Sequence, residues 1–320
     1  MSSDVPQGNH VRIVGAFAGI GSGLTKVAVG HGFDTVKTRL QCSTAGTYRG
    51  AIDVLMKTIR NEGVLALYKG ATPPAVGWAA IDSLLLGSLH NYRLFFLRHG
   101  MTEITPKTET PRLTLMAHGI AGLLAGLTSS IVATPVELLK VKLQLQSQKS
   151  VADRQFKGPI DCARKIIRTQ GFLGMWSGFT GSLAFRSNFF WMFLSFEALM
   201  RNFSRLAGTP YELSTGSANF LSGGLGAFAF WGMAIPTDNI KNRMMSHPYP
   251  LPYPVSPAAM SSLRRPSFLL TARHIYSERG AAGFFRGLGP CILRAFPVNA
   301  CAFFVYEGLM RGLGAEQTRH

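Results

Sequence analysis

The chain has 320 residues, with 33 Lys and Arg against 16 Asp and Glu, a formal charge of +17, and 15% charged against 47% apolar residues. So much apolar surface excludes a disordered basic tail, and so small a charged fraction, against about 25% in soluble domains, argues against a soluble nucleic-acid binder. The composition is that of a membrane protein whose basic excess lies on one side.

The opening MSSDVPQGNH has neither an apolar core nor an Arg-rich amphipathic stretch, so no cleavable targeting segment is expected. An apolar segment follows, carrying AGIGSG from Ala18 and running into GFDTVKTRLQ from Gly32. Next come a basic amphipathic stretch, AIDVLMKTIRNEG, the sequence EGVLALYKG ending at Gly70, and a second apolar segment, PPAVGWAAIDSLLLGSLHNY. The order then returns twice. AGLLAG (from Ala121), PVELLKVKLQ (from Pro135) and QGFLGMWSG (ending at Gly178) make the second copy; SGGLGA (from Ser222), PTDNIKNRMM (from Pro236) and RGAAGFFRG (ending at Gly287) make the third. The first two patterns step by 103 and 101 residues, and each copy of the last spaces its glycines by seven (Gly63/Gly70, Gly171/Gly178, Gly280/Gly287). Independent patterns sharing one period identify an internal triplication, with repeats at 11–100, 112–207 and 216–313.

The apolar segments are long enough to span a bilayer, which takes about 20 residues. They are interrupted by Lys26, Asp34, Asp82, Arg186 and Arg294, which a helix facing a wet cavity tolerates and a lipid-surrounded one does not. An all-α membrane protein is therefore expected, with six transmembrane helices in three pseudo-threefold repeats around a central cavity and short amphipathic helices on one side. Small residues four apart (Gly19/Gly23, Gly122/Gly126) are expected to let neighbouring helices approach closely. The stretches 37–70, 140–178 and 241–287 together hold 21 Lys and Arg against 5 Asp and Glu, which is +16 of the +17. By the positive-inside rule they share one side, with both termini on the other. The third stretch is the longest, and its extra HPYPLPYPVSP is expected to be an exposed insertion of little functional weight.

Each Pro/acid/base pattern carries its acid and base three residues apart, on one helix face. A proline before the acid kinks the helix. Asp34, Glu137 and Asp238 with Lys37, Lys140 and Lys241 can therefore close a ring of inter-helix ion pairs and plug the cavity. Such partly buried pairs are finely balanced between Coulomb gain and desolvation, as a gate requires. Gln41 and Gln144, four residues after the lysines, are placed to brace the pairs; Met245, third in that series, is not. Four cysteines (Cys42, Cys162, Cys291, Cys301) without CxxC spacing, and eight histidines without ligand spacing, predict no metal site, redox pair or cofactor. With no HExxH, GxSxG or Walker loop, an enzyme is not expected.

These triplicated motifs, Px[DE]xx[KR]x[KR], then an acid before Gly, then aromatic–basic–Gly, resemble the mitochondrial carrier family over nearly the whole chain, from Val11 to Leu313. Gly32 replaces the first Pro, Gln170 and Arg279 replace acids, and Ser177 replaces a base. The resemblance implies a six-helix barrel in the mitochondrial inner membrane, with both termini towards the intermembrane space, that moves a small metabolite by alternating access. It places the acid–base ring at the matrix gate, and implies a monomer touching membrane lipid such as cardiolipin at its basic face and no nucleic-acid partner. At the cytosolic gate the family carries an acid and a base on each even-numbered helix. Here Phe196–Met200 and Tyr306–Met310 keep Glu197 and Glu307 and lose the base, leaving Arg93 as the in-register partner, so a weak cytosolic gate is expected.

By the same resemblance, substrate contacts fall midway along the even-numbered helices: Gly77, Trp78 and Asp82 on the second, Phe185 and Arg186 on the fourth, Arg294 and Asn299 on the sixth. The fourth helix looks one residue short, which blurs its register. A carboxylate at Asp82 facing a guanidinium at Arg294 suits a zwitterion, with Trp78 supplying a cation–π contact; pairing of Asp82 with Arg294 or Arg186 is the competing arrangement. RAFPVNACAFFVYE is similar to the last helix of carnitine/acylcarnitine and basic amino-acid (ornithine-like) carriers. An amino-acid or carnitine-like substrate leads, ahead of a nucleotide or other anion and of a membrane adaptor that has lost transport.

Overall fold

The computed structural model describes residues 5–105, 110–148, 150 and 152–312. Helices α1 (Val5–Cys42), α2 (Ala51–Glu62) and α3 (Thr72–Arg98) form the first repeat. A short hairpin of β1 (Thr102–Ile104) and β2 (Pro111–Leu113) leads into α4 (Leu115–Gln144), α5 (Pro159–Gln170), α6 (Phe179–Arg186) and α7 (Phe189–Arg205). The third repeat holds α8 (Thr215–Ser246), α9 (Pro257–Ser261), α10 (Phe268–Arg279) and α11 (Leu288–Gly312).

The long helices close a ring. α1 packs along α11, α3 along α4, and α7 along both α4 and α8, with lighter contacts between α1 and α3 and between α8 and α11. Its outer face is apolar: Leu24, Val76, Leu86, Ile131, Phe228 and Leu293 are all exposed. Two helices, Leu115–Gln144 and Gly216–Ser246, are long and apolar enough by themselves to cross a membrane among the described residues. The second half of the middle repeat is divided into α6 and α7, of 8 and 17 residues, and α3 carries Asp82, Arg93 and Arg98.

The repeated glycines have physical work at both ends of each amphipathic helix. Gly63, Gly171 and Gly280 terminate α2, α5 and α10 at φ of 90°, 75° and 64°, a region that penalises a Cβ. Gly70, Gly178 and Gly287 also have positive φ, and a Cβ there would meet Lys140 O at 2.9 Å, Met245 Cγ at 2.9 Å and Gln41 Nε2 at 3.2 Å. Each therefore lets the chain rest directly on the gate-bearing helix of the next repeat. Among the small residues inside the helices, Gly122 and Gly126 do sit against the helix formed by the second half of their repeat; a Cβ on Gly122 would lie 2.8 Å from Phe189 O. Gly23 departs from the expectation, having nothing within 4 Å. The close approach of α1 to α11 falls instead at Gly21 and Gly30, against Leu309 and Val298. The side chain position at Gly19 lies outside the described residues.

The shortened fourth helix is resolved by a break. α6 ends at Arg186 and α7 begins at Phe189, and the Asn188 amide bridges the interruption by donating to Ala184 O (2.9 Å) and Thr237 Oγ1 (3.2 Å).

The Pro-rich insertion corrects its sequence reading, because it is not simply exposed. Tyr249 and Tyr253 pack onto the core formed by Leu138, Val141, Cys162 and Ile166. The Tyr253 hydroxyl meets Thr169 Oγ1 at 2.9 Å and accepts from Gln170 Nε2 at 2.9 Å, while Lys142 Nζ donates to His247 O at 2.8 Å and lies 4.9 Å from the Tyr253 ring centre. The reason is visible in the other repeats. Arg39 and Arg243, the counterparts of Lys142, pair with Glu62 (2.9 Å from Arg39 Nη2) and Glu278 (2.7 Å). With Gln170 standing where an acid would serve Lys142, the insertion supplies a carbonyl and a ring face instead.

Candidate substrate site and gate

Asp34 and Lys37 on α1, Glu137 and Lys140 on α4, and Asp238 and Lys241 on α8 meet at one end of the helix ring. Lys140 pairs with Asp34 at 2.5 Å, Lys241 with Glu137 at 2.9 Å and Lys37 with Asp238 at 2.8 Å. Lys241 also reaches Asp238 on its own helix at 3.1 Å. Because acid and base sit three apart, each helix offers its acid to one neighbour and its base to the other, and the cycle closes. Asp238, 1% exposed, is the most enclosed of the acids.

Gln41 braces this last pair: its Nε2 donates to Asp238 Oδ2 at 3.1 Å, and its Oε1 accepts from Asn242 Nδ2 at 2.6 Å. Gln144 takes a different role from the expected one. Its amide faces Thr35 Oγ1 (3.1 Å) and His31 Nε2 (3.3 Å), which in turn contact Leu67 O and Lys69 O and so anchor α1 to the turn at 64–68. It ties helices together beneath the ring rather than bracing an ion pair.

The ring is the floor of a cavity of about 290 Å³. Each ring lysine lies against an aromatic side chain: Lys37 4.7 Å from Trp231, Lys140 5.6 Å from Trp78 and Lys241 3.9 Å from Phe185. Trp78 and Phe185 are thus at the cavity as anticipated, with their faces turned to the protein's own cations. Gly77 is not part of the lining; it is the point where α3 touches α4, and a Cβ there would lie 2.7 Å from Val136 Cγ2. Trp231, Phe230, Phe189 and Asn242 line the cavity without having stood out in the sequence. Trp231 had one signal: it lies seven residues, two helical turns, before Asp238.

Asp82, Arg186 and Arg294 all border the cavity. The arginines do not close on Asp82. Arg294 Nη1 binds Asp34 Oδ1, and Arg186 Nη2 binds Glu137 Oε1 at 2.7 Å while its Nη1 donates to Ser129 Oγ at 3.1 Å. Asp34 and Glu137 therefore each hold a lysine and an arginine. Asp82 has no ion-pair or hydrogen-bond partner among the described residues. The Asn299 side chain lies outside the described residues.

At the opposite end the charged groups pair locally among the described residues. Glu197 pairs with Arg201 on its own helix (2.8 Å) and lies 3.8 Å from His118 Nε2. Arg201 also reaches Glu103 at 2.5 Å and Leu113 O at 2.6 Å, fastening α7 to the β-hairpin. Arg93 stacks its guanidinium 5.5 Å from the Phe193 ring, its Nε without a hydrogen-bond partner, and makes no ion pair with Glu197 among the described residues. The expected Arg93–Glu197 partnership is thus displaced by a neighbour one helical turn along. The Glu307 side chain lies outside the described residues. Cys42, Cys162 and Cys291 are buried free thiols and Cys301 an exposed one.

Comparison with known proteins agrees with this architecture. The family described as "Mitochondrial carrier protein" matches residues 11–100, 111–206 and 214–317. Mitochondrial substrate carrier family protein S of Dictyostelium discoideum is 35% identical over 93% of this chain and 97% of its own length. A glutamate/glycine mitochondrial carrier of Schizosaccharomyces pombe is 31% identical over 96% of this chain and 97% of its own. A mitochondrial carnitine/acylcarnitine carrier-like protein of Arabidopsis thaliana is 30% identical over 93% and 97%. The chain belongs to the mitochondrial carrier family, which makes it a transporter of the mitochondrial inner membrane and not an enzyme.

Proposed function

We propose that this carrier moves an amino acid or carnitine-like zwitterion by alternating access, through six membrane-spanning helices, with the ion-pair ring and the basic stretches facing the matrix. The observation that carries the reading is the unpartnered Asp82 carboxylate in a cavity that also presents Arg186 and Arg294. A substrate ammonium satisfies Asp82, and a substrate carboxylate competes with Asp34 for Arg294. That competition is the coupling step. Asp34 is left with Lys140 alone, the ring loses a cation that held it shut, and binding energy is spent in favour of the open state. The names of the relatives, a glutamate/glycine carrier and a carnitine/acylcarnitine carrier-like protein, support an ammonium-bearing carboxylate. The fold of the three basic stretches to one end supports the orientation.

Uptake of labelled amino acids, carnitine and nucleotides into proteoliposomes tests this. Zwitterion uptake is expected, abolished by Arg294→Ala in protein that still inserts and unfolds cooperatively. Nucleotide uptake that survives Asp82→Asn would overturn the reading in favour of an anion carrier.

A further inference from the structure

The cavity's charges are not evenly matched, and the mismatch describes a substrate. Its lining carries four carboxylates (Asp34, Asp82, Glu137, Asp238) and five cations (Lys37, Lys140, Lys241, Arg186, Arg294), a net charge of +1 with all ionised. The ring lysines already serve the ring acids one to one. Both arginines are therefore surplus, each placed on an acid that has its lysine, and Asp82 is the one lining acid with no ion pair or hydrogen bond among the described residues, Lys26 and Arg186 acting on it only at a distance. What the closed ring leaves over is two guanidiniums and one carboxylate.

Arg186 is more than a spare charge. It is 6% exposed, so its guanidinium is enclosed, yet its Nε has no hydrogen-bond partner. Glu137 uses Nη2 by one oxygen and gives its other oxygen to Lys241. Nη1 and Nη2 are thus each engaged once, by Ser129 and Glu137, and the enclosed Nε is the N–H left over; a carboxylate gains the two parallel N–H bonds of the guanidinium fork by displacing Glu137. Ser129 and the face of Phe189, 6.0 Å from the guanidinium carbon, hold it in place.

Resting on the zwitterion reading above, we infer that the substrate is a short amino dicarboxylate: one carboxylate taken by Arg294, a second by Arg186, and the ammonium by Asp82. Its charge of −1 cancels the cavity's +1. A space of about 290 Å³ holds roughly ten waters at ~30 Å³ each, room for a diacid of about ten heavy atoms with some water retained. Two carboxylates also do what one does not. They draw both arginines off the ring, so that Asp34 and Glu137 are weakened together. A monocarboxylate zwitterion releases one acid, and a diacid lacking the amine leaves Asp82 unpaired beside two further negative charges.

The test is uptake by the full chain in proteoliposomes, using labelled aspartate, glutamate, glycine, carnitine and succinate, with wild type, Arg186→Gln and Arg186→Lys. Aspartate or glutamate is expected to exceed glycine, carnitine and succinate by about tenfold or more, the size of one charge-assisted contact. Both variants are expected to lower the ratio of amino-diacid to glycine uptake by a similar factor, Arg186→Lys because an ammonium keeps the charge and loses the fork. Preferential uptake of glycine or carnitine by the wild type overturns the inference while leaving the zwitterion reading intact. An unchanged ratio in both variants, with amino diacids still preferred, overturns the role of Arg186. Uptake of nucleotides alone overturns both readings. If Arg186→Gln fails to fold, the wild-type ranking and Arg186→Lys still decide.

Discussion

Replacing Asp238 by Asn tests whether the ring holds the cavity shut. The carboxylate is 1% exposed and accepts from Lys37 at 2.8 Å, Lys241 at 3.1 Å, Gln41 at 3.1 Å and Asn242 at 3.2 Å. Asparagine keeps the volume and removes the charge, so Lys37, itself 9% exposed, is left enclosed without a counter-ion. Removing one member of a buried pair costs about 3–5 kcal/mol, which at 1.4 kcal/mol per tenfold is about two to four decades in the ratio of closed to open carrier. Trp231, 4.7 Å from the Lys37 ammonium, offsets part of this, a desolvated cation–π contact being worth about 2 kcal/mol, so the lower end of the range is expected.

The assay is accessibility of a single cysteine placed in the cavity of an otherwise cysteine-free protein, read from each side of the membrane, alongside thermal unfolding in detergent. Asp238→Asn is expected to raise labelling from the ring side and lower the unfolding temperature. The double variant Lys37→Gln/Asp238→Asn removes both charges and is expected to cost less than the two single changes added together. Additive costs, or wild-type labelling in Asp238→Asn, would refute the idea that this pair closes the cavity.

Other consequences follow from single contacts. Tyr253→Phe loses the hydroxyl's bonds to Thr169 and Gln170 but keeps the ring over Lys142, and should cost about 1 kcal/mol in a thermal or denaturant assay; Tyr253→Ala, which also uncovers Lys142, should cost clearly more. Gly122→Ala should destabilise by about 1–3 kcal/mol as overpacking against Phe189 and Phe193, whereas Gly23→Ala, facing open space, should be neutral or slightly stabilising to unfolding. Burial alone would raise the pKa of Glu62 on α2, but hydrogen bonds and charge from Arg39 and Lys69 outweigh it and hold the carboxylate below the usual glutamate range. Its contribution is therefore present at neutral pH and lost as pH falls through that depressed value. Glu62→Gln should flatten the acid side of the stability–pH curve, which unfolding measured between about pH 3 and 7 would reveal.

The ring was legible because it is written three times. A period near 100 residues places Asp34, Glu137 and Asp238 in equivalent positions, and a three-residue acid–base spacing then makes the cyclic pairing the natural one. What departs from threefold symmetry was not legible. Gln144 occupies the register of Gln41, yet its amide is captured by Thr35 and His31 of α1, whereas the equivalent positions on α8 are Asn239, whose amide is committed to the carbonyls of Gly283, Phe284 and Arg286, and the apolar Ile235. The destinations of Arg186 and Arg294 depend on how far each side chain reaches across the cavity, and spacing along one helix is silent on that. HPYPLPYPVSP reads as surface punctuation because prolines outnumber other cues, but its two tyrosines anchor it over a lysine whose own repeat lacks an acid. Trp231 has no counterpart at the equivalent positions, Val27 and Ser130, so repetition gave it no weight.

That same asymmetry bears on how the gate opens. The Lys37–Asp238 pair is braced by Gln41 and Asn242 and touched by neither arginine. Among the described residues the acids of the other two pairs have no such amide brace, and they are shared with Arg294 and Arg186. A ligand that recruits the arginines therefore acts on Asp34 and Glu137 directly and on Asp238 only through the movement of α1, α4 and α8. Both acids sit with α4 on one side of their pair: Asp34 through Lys140, Glu137 on α4 itself. Gln144 and Arg39 fasten α4 to α1, and Gln41 fastens α1 to α8, so α4–α8 is the contact at the ring without an amide tie among the described residues. α4 is also the helix whose lysine at 142 is held by the insertion rather than by a carboxylate. A carbonyl and a ring face there stand in for a full counter-charge. That tie, from Lys142 to the carbonyl of His247 at the end of α8, lies on the same α4–α8 side of the ring as the Glu137–Lys241 pair whose acid Arg186 shares, so a ligand that recruits Arg186 acts where α4 and α8 are joined by charge and ring contacts rather than by amides.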